Sequence, residues 1–164
     1  MCRIEFIPLL LTEKADIFGI RLDNNTQTEY EKFYVLFKDC VDRYLQDDLE
    51  RIVAEIRAFG EKGVLENKMR PEGHFNDRVN AMPIITIPRD KNKHGTLRLY
   101  CIRVSERLLI LGGGGLKTVQ SYEEDETLSK EVSLLERIDK ELENLENTGV
   151  DLHEAIYNLV LNIE

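Results

Sequence analysis

The chain has 164 residues, room for one domain of ordinary size, and its 42% hydrophobic and 32% charged residues are typical of a globular protein. No apolar run approaches the ~20 residues that a membrane helix needs, and three cysteines without metal or redox spacing favour reduced thiols in a cytosol over a disulfide framework. The net charge of −9 argues at face value against a nucleic-acid partner.

The first predicted element is a β-hairpin near the amino end. Residues 3–11 and 15–23 are two apolar, β-prone runs separated by a short polar stretch. The apolar part of the first run, residues 7–11, is too short for a signal peptide, and no small-residue cleavage site follows it. We therefore assign residues 1–25 to an N-terminal hairpin that extends a single domain spanning residues 1–164.

A helical hairpin is predicted over residues 28–62. Thr26 or Thr28 can cap its first helix, and from Tyr30 onwards apolar residues recur every three or four positions. The pattern pauses and resumes at Leu49, and Gly60 is the expected helix stop. The same spacing also fits one long, broken helix.

The clearest strand pair lies in the second half of the chain. Residues 66–96 are mostly irregular, apart from an apolar run at 84–87 that fits an edge strand between two prolines. Residues 97–104 then alternate, which places Cys101 on one face, in the core, and Arg98 and Tyr100 on the other. A tight turn leads to a second strand at 107–111, and a loop of four glycines, residues 112–115, precedes Lys117.

Two helices are predicted to close the chain. Apolar residues between 128 and 145 form a stripe on an otherwise Glu-rich helix, which packs either on the sheet or on another subunit. Asp151 and Glu154 form a capping-box-like start, and we expect a last helix within residues 150–164. The order of strands and helices predicts an α+β fold.

Charge divides the chain into three unequal parts. Residues 1–67 carry 9 basic and 14 acidic side chains, residues 68–117 carry 10 and 4, and residues 118–164 carry 3 and 13. The middle part therefore has a net charge of +6 between two acidic flanks. Because of this segregation of charge, we expect any functional site to lie within residues 68–117.

The basic and aromatic residues around the predicted strand pair form the strongest candidate site. Arg98 and Tyr100 share a strand face, Arg103 and Arg107 flank the turn, and Lys117 follows the second strand. Arginine forks match phosphate oxygens and an aromatic ring stacks on a base, so this set is typical of surfaces that bind single-stranded RNA. The alternative, of equal weight, is that these cations are solvated or pair with the Glu-rich helices of the same chain.

Other chemical motifs are weaker. The run GGGGLKT lacks the spacing of a phosphate-binding loop, and three separate histidines offer no metal-ligand pair. Neither a Ser-His-Asp nor a Cys-His arrangement has local support in the sequence. His74 and Lys93, from loops of the basic stretch, are added to the candidate RNA contacts, and no cofactor or metal is expected.

Residues 97–137, LRLYCIRVSERLLILGGGGLKTVQSYEEDETLSKEVSLLER, resemble the second half of RelE/ParE-superfamily toxins, including the HigB-like branch. Residues 97–100 stand for the family's first strand, residues 108–112 for its second, and Lys117 for a lysine of its basic tail. The resemblance implies a RelE-like core over 28–147, a small twisted antiparallel sheet with a helical hairpin and C-terminal helices packed on it. It also implies mRNA cleavage on the ribosome, in which Arg98 or Arg103 clamps phosphate, Lys117 stabilises developing charge, and Tyr100 carries a proton or stacks.

Two functions follow as hypotheses. The first is a cytoplasmic, RelE-like endoribonuclease toxin that acts on translated mRNA at the ribosome and is held by an antitoxin protein. The second is a non-catalytic protein-interaction module on the same fold. A homodimer fits both, and neither is expected at a membrane. The toxin predicts that Lys117, Arg98 and Tyr100 converge in one exposed concavity, whereas internally paired positions favour the interaction module.

Overall fold

The computed structural model describes residues 1–73, 76–83, 89–90, 94–118 and 122–164, with the backbone alone for 122–125. In chain order its elements are β1 (Cys2–Leu11), β2 (Asp16–Leu22), α1 (Glu29–Phe37), α2 (Arg43–Lys62), a 3₁₀ turn (Glu66–Lys68), β3 (Arg70–Pro71), β4 (Val79–Met82), β5 (Thr96–Ser105), β6 (Leu108–Lys117), α3 (Tyr122–Asn147), α4 (Leu152–Ala155), a second 3₁₀ turn (Ile156–Asn158) and β7 (Val160–Ile163). The α+β class is confirmed.

The strands of the described residues form one seven-stranded sheet in the order β3-β4-β5-β6-β2-β1-β7. Neighbouring strands are antiparallel, except for β2 and β6, which run parallel. The sheet is therefore larger than the small antiparallel sheet that the resemblance implies, and it is mixed. After β2 the chain passes through α1 and α2 before it returns to the sheet. Neighbouring strands such as β2 and β6 can run parallel only when a long connection of this kind joins them.

The amino-terminal hairpin forms as predicted, with β1 antiparallel to β2. It is not an appendage, because β2 pairs with β6 and β1 pairs with β7. The two strands thus lie inside the sheet. Strands β3 and β4 fall in a region expected to be irregular, and the edge strand expected at 84–87 lies outside the described residues.

The helical hairpin is confirmed as α1 and α2. Thr28 caps α1 through a capping box with Glu31, and the Asp42 carboxylate accepts the first backbone N–H groups of α2. The expected stop at Gly60 is wrong, since α2 continues to Lys62, and the positive φ of 96° at the following Gly63 ends it. Both helices cover one face of the sheet, and their buried apolar residues join Ile17, Leu97, Leu99, Cys101, Leu109 and Leu111 in one core cluster.

Helix α3 covers the opposite face of the sheet. The buried members of its apolar stripe are Leu128, Leu135, Ile138 and Leu142, which join Tyr100, Ile102 and Ile110 of the strands in a second core cluster. The stripe therefore packs on the sheet, which decides between the two alternatives that the sequence left open. With a helix layer on each side, β5 and β6 are buried on both faces, as in sheets of three-layer proteins.

The last helix expected within 150–164 begins at the predicted cap, Asp151, but it is much shorter than expected. Only Leu152–Ala155 is α-helical, and after a 3₁₀ turn the chain becomes strand β7, which pairs with Cys2 to Glu5 of β1. The unpaired backbone edge of β1 offers hydrogen-bond partners that an isolated apolar segment lacks. Among the described helices, none is long and apolar enough to cross a membrane.

A buried ion pair holds the chain before β5 against α2. Two Arg89 guanidinium nitrogens each lie 2.7 Å from an oxygen of the Asp48 carboxylate, and both side chains are at least 97% buried. The Leu97 backbone N–H also donates to Asp48, and the Arg89 guanidinium lies 5.0 Å from the centre of the Tyr44 ring. This planar, bidentate arrangement fixes the entry of the chain into β5.

Candidate functional site

Tyr100, predicted to face solvent, lies under α3. The side chain is 4% exposed and belongs to the core cluster between the sheet and α3. The alternation along β5 is correct, but both of its faces are covered. Alternation along a strand shows which residues share a face of the sheet. It does not show whether a helix covers both faces or only one of them. Sequence reasoning therefore assigned the correct face and the wrong environment.

The two arginines of β5 interact with acceptors of the same chain. Arg98 lies 3.4 Å from the Glu72 carboxylate, its side chain is 14% exposed, and burial together with the nearby Arg70 lowers its pKa. Arg103 donates to the Val64 carbonyl oxygen at 2.9 Å and forms an ion pair with Glu66 at 3.2 Å. These contacts engage one nitrogen of Arg98 and two of Arg103, so each guanidinium is held by an acceptor of the same chain, although Arg98 Nε is buried without a hydrogen-bond partner among the described residues.

Arg78 shows that the middle segment also pairs with the acidic helix α3. Its guanidinium lies 2.9 Å from Asp139 and 2.6 Å from Glu146. Burial raises the pKa of Asp139, while its hydrogen bond from Asn76 and the charge of Arg78 act in the opposite direction. Among the described residues, Arg78 therefore pairs with the Glu-rich helix α3, whereas the strand arginines Arg98 and Arg103 pair with Glu72 and Glu66, which lie outside the Glu-rich helices.

Lys117 lies at the end of β6 and lines an open cleft of about 620 Å³ between the sheet and α3. Its position beside Thr96 follows from the antiparallel register of β5 and β6. The side chains that line the cleft are Glu72, Tyr100, Lys117, Leu128, Ser129, Val132, Ser133 and Glu136. The cleft thus brings Lys117 together with the rim of Tyr100, and Glu72 connects it to Arg98.

The glycine run is part of β6 and not a loop. An added Cβ would lie 2.9 Å from Leu135 at Gly112 and 2.8 Å from the Glu131 carboxylate at Gly113, and at Gly114 it would collide with the backbone carbonyl of Arg98. The run therefore permits close packing of α3 and of β5 onto β6. The run of glycines directly after a predicted strand was the sequence signal for this packing, and the loop expected at residues 112–115 is wrong.

Glu131 is the carboxyl group that this packing brings against β6. Burial and the neighbouring charge of Glu29 raise its pKa to about 7, against smaller opposing effects of Lys32 and of a hydrogen bond from the Gly113 backbone. One of its oxygens is buried without a hydrogen-bond partner among the described residues. Glu131 therefore changes protonation near neutral pH.

Ser105, at the end of β5, and the pair Asp151 and His153, at the start of α4, form a Ser-His-Asp arrangement that no local sequence pattern indicates. Ser105 Oγ lies 2.7 Å from His153 Nε2, and His153 Nδ1 lies 3.2 Å from Asp151 Oδ1. Ser105 and His153 are 48 positions apart, so their approach depends on the tertiary fold. The Asp151 carboxylate also accepts the His153 backbone N–H as the cap of α4, and both side chains are well exposed.

We interpret the contacts among Ser105, His153 and Asp151 as a structural link between the β5–β6 turn and α4. A catalytic triad uses a buried carboxylate to orient its histidine, whereas the Asp151 side chain is 59% exposed. Arg107 lines a cavity of about 240 Å³ beside it, and its backbone N–H donates to Ser105 Oγ. Labelling of Ser105 by a fluorophosphonate would contradict this interpretation.

Of the remaining predicted RNA contacts, only Arg107 lies within the described residues, and it does not line the cleft. Arg107 is exposed at the β5–β6 turn, far along the strand pair from Lys117. His74 and Lys93 lie outside the described residues. Within the described ranges, no group of three or more His, Cys, Asp or Glu side chains is arranged to hold a metal ion.

Comparison with known proteins adds no relative: no family model, curated protein or solved structure matches the chain.

Proposed function

We propose that this protein is a non-catalytic interaction module whose Lys117 cleft binds a segment of a partner protein. The proposal rests on the different environments of the three predicted catalytic residues. Lys117 lies on an open cleft, whereas Arg98 is paired with Glu72 and Tyr100 is buried to its rim. Catalysis of phosphoryl transfer requires several charged groups free to converge on the reacting atoms, and binding requires only a shaped surface.

The chemistry of the cleft fits a peptide. Leu128 and Val132 supply an apolar wall, Ser129 and Ser133 supply hydroxyl groups, and Lys117 supplies a cation. Glu72 and Glu136 also line the cleft, and the charge of Glu72 is offset by ion pairs with Arg70 and Arg98. No carboxylate of the described residues lies within ion-pair distance of Lys117, so its ammonium is suited to an acidic side chain or a terminal carboxylate of the partner. A volume of about 620 Å³ is within the range of sites that accept a few residues of a ligand.

Position-specific crosslinking tests the proposal. A photoreactive amino acid at Ser133, on the cleft wall, is expected to form one discrete adduct in the cells that produce the protein. The same group at Lys130, which lies on α3 outside the cleft and is highly exposed, is the matched control. We expect Lys117→Glu to reduce the Ser133 adduct several-fold. Equal adducts at both positions, or none at Ser133, would reject the cleft as a binding site.

Ribosome-dependent mRNA cleavage is the second candidate, and two observations favour it. Lys117 and the rim of Tyr100 line the same cleft, and residues 68–117 carry a net charge of +6. By the resemblance to RelE/ParE toxins, the ribose 2′-hydroxyl would lose its proton and attack the adjacent phosphate. The bond to the 5′-oxygen of the next nucleotide would break, this oxygen would take up a proton, and a 2′,3′-cyclic phosphate would remain, with Lys117 stabilising the charge that develops on the phosphate. An antitoxin protein would then be the partner that holds the toxin.

Induced expression in a bacterial host separates the two functions. The interaction module predicts normal growth and intact mRNA for the wild type and for Lys117→Ala alike. Lys62→Ala, at the exposed end of α2, is the matched control. Growth arrest with mRNA cleavage that Lys117→Ala relieves, and Lys62→Ala does not, would replace the first proposal by the second.

A further inference from the structure

A surplus of apolar side chains is exposed where α1 meets the loop to α2. Four of the exposed large hydrophobic residues lie within eight positions: Tyr34, Val35, Leu36 and Val41. Leu36 is 72% exposed and Val41 is 95% exposed, although α1 itself packs on the sheet through the buried Phe33. Clusters of this kind on a soluble surface mark places where another molecule docks.

A groove of about 360 Å³ lies beside this cluster, between α1 and α2. Tyr34 of α1 and Lys38, which directly follows the helix, line one side of it. The other side is a stripe along α2 with spacings of three and four residues, formed by Gln46, Glu50, Val53, Ala54 and Arg57. This stripe is the solvent-facing side of a helix whose apolar side faces the core.

The stripe is complementary to itself. Its centre is the small apolar pair Val53 and Ala54. The acidic Glu50 lies on one side of this pair and the basic Arg57 on the other. Neither Glu50 nor Arg57 has an ion-pair partner among the described residues. In a helix these two residues are about 10 Å apart along the axis, too far to pair with each other. A two-fold axis between residues 53 and 54 would place Glu50 of one copy against Arg57 of the other, twice.

We propose that the α1–α2 groove binds a second copy of this chain, with α2 antiparallel to its mate about a two-fold axis at Val53 and Ala54. An isologous interface needs a surface that is its own complement, and the order Glu50, Val53–Ala54, Arg57 has that property. Tyr34 of each copy flanks the pair, and the exposed apolar corner of α1 extends the contact. The resulting four helices form one layer across the dimer.

The distribution of charge supports a second copy at this face. Residues 118–164, with 3 basic and 13 acidic side chains, lie on α3 and beyond, and α3 covers the opposite face of the sheet. Pairing through α2 therefore keeps the two most acidic segments apart. Pairing through α3 would bring them together at a high electrostatic cost.

Sedimentation velocity of the full chain tests the proposal, which does not rest on the Lys117 cleft. We expect a dimer of the 19.1 kDa chain in the wild type. Glu50→Arg and Arg57→Glu each create two like-charge contacts, which we expect to weaken the dimer roughly tenfold to a hundredfold. The double variant Glu50→Arg/Arg57→Glu restores both pairs with reversed polarity, and we expect its dissociation constant to return to within a few-fold of the wild type.

Two controls make the result decisive. Glu141→Arg introduces the same change of charge on α3, at an exposed position of the opposite helix layer, and should leave the dimer unchanged. Thermal unfolding of each variant, followed by circular dichroism, separates loss of the interface from loss of the fold. A wild type that remains monomeric at about 100 µM, above the dissociation constants of most stable dimers, would overturn the proposal. A dimer unaffected by both single charge reversals would also overturn it.

Discussion

Replacement of Glu131 by Gln is expected to stabilise the protein at alkaline pH and to leave it unchanged in mild acid. The carboxyl lies against Gly113 of β6 with Glu29 and Lys32 of α1 facing it, and burial together with Glu29 raises its pKa from 4.5 to about 7. A raised folded-state pKa means that the folded protein retains a proton that the unfolded chain has released. The contribution of Glu131 to stability is therefore complete below pH 4.5 and is lost as the pH rises through 7.

The size of this effect follows from the shift. A change from 4.5 to about 7 corresponds to roughly 3 kcal/mol of unfolding free energy. The carboxyl is partly exposed, and solvent screening reduces the effect, so we expect about 1–3 kcal/mol. Gln has a similar shape and no charge at any pH, so the difference between variant and wild type should grow from near zero at pH 4.5 to its full value by pH 8.

Urea denaturation at pH 4.5, 6, 7 and 8 measures this difference directly, with equal slopes as the check for two-state unfolding. Burial also raises the pKa of Asp139, but this residue is present in both proteins, so its effect on stability cancels in the difference. Glu141→Gln, on the exposed side of the same helix, is the matched control and should show no such dependence. A Glu131→Gln variant no more stable than wild type at pH 8 would refute the assigned environment of this carboxyl.

Two further predictions concern packing and the buried ion pair. Asp48→Asn leaves the Arg89 guanidinium buried without its charged partner, so we expect a loss of about 3–5 kcal/mol in urea denaturation. The neighbouring Asp47→Asn, on the exposed side of α2, should change stability by less than about 0.5 kcal/mol, and equal losses would contradict the buried pair. Gly114→Ala places a Cβ against the backbone of β5 and should destabilise the fold far more than Gly115→Ala, whose Cβ meets only the flexible end of a leucine. Comparable thermal midpoints for the two variants would show that β5 and β6 are not so close.

Local patterns of the sequence predicted the elements that depend on neighbouring residues. The hairpin of β1 and β2, the capped α1, and the strand pair β5 and β6 all form from signals that lie within a few positions of one another. The same holds for Cys101, whose core position follows from alternation along β5. These predictions required no knowledge of what each element packs against.

The candidate site was less predictable, because its character depends on residues distant in the chain. Tyr100 shares a core cluster with residues of α3, and Arg98 is paired with Glu72, 26 positions earlier. Arg89 and Asp48, 41 positions apart, form an ion pair that no local pattern indicates. The sequence shows where the cationic side chains lie along the chain. It does not show which carboxylate each of them contacts in the folded protein.

The sequence by itself therefore determined the class of fold, the two faces of β5 and the three-part division of charge. Each follows from periodicity or composition, which are properties of the chain alone. The tertiary structure alone decided that the amino-terminal hairpin lies inside the sheet, that the last segment becomes β7, and that α3 covers Tyr100 while Lys117 stays on an open cleft. In each case the deciding factor is a backbone edge or an apolar face supplied by a distant part of the chain, and such a factor exists only once the fold has formed.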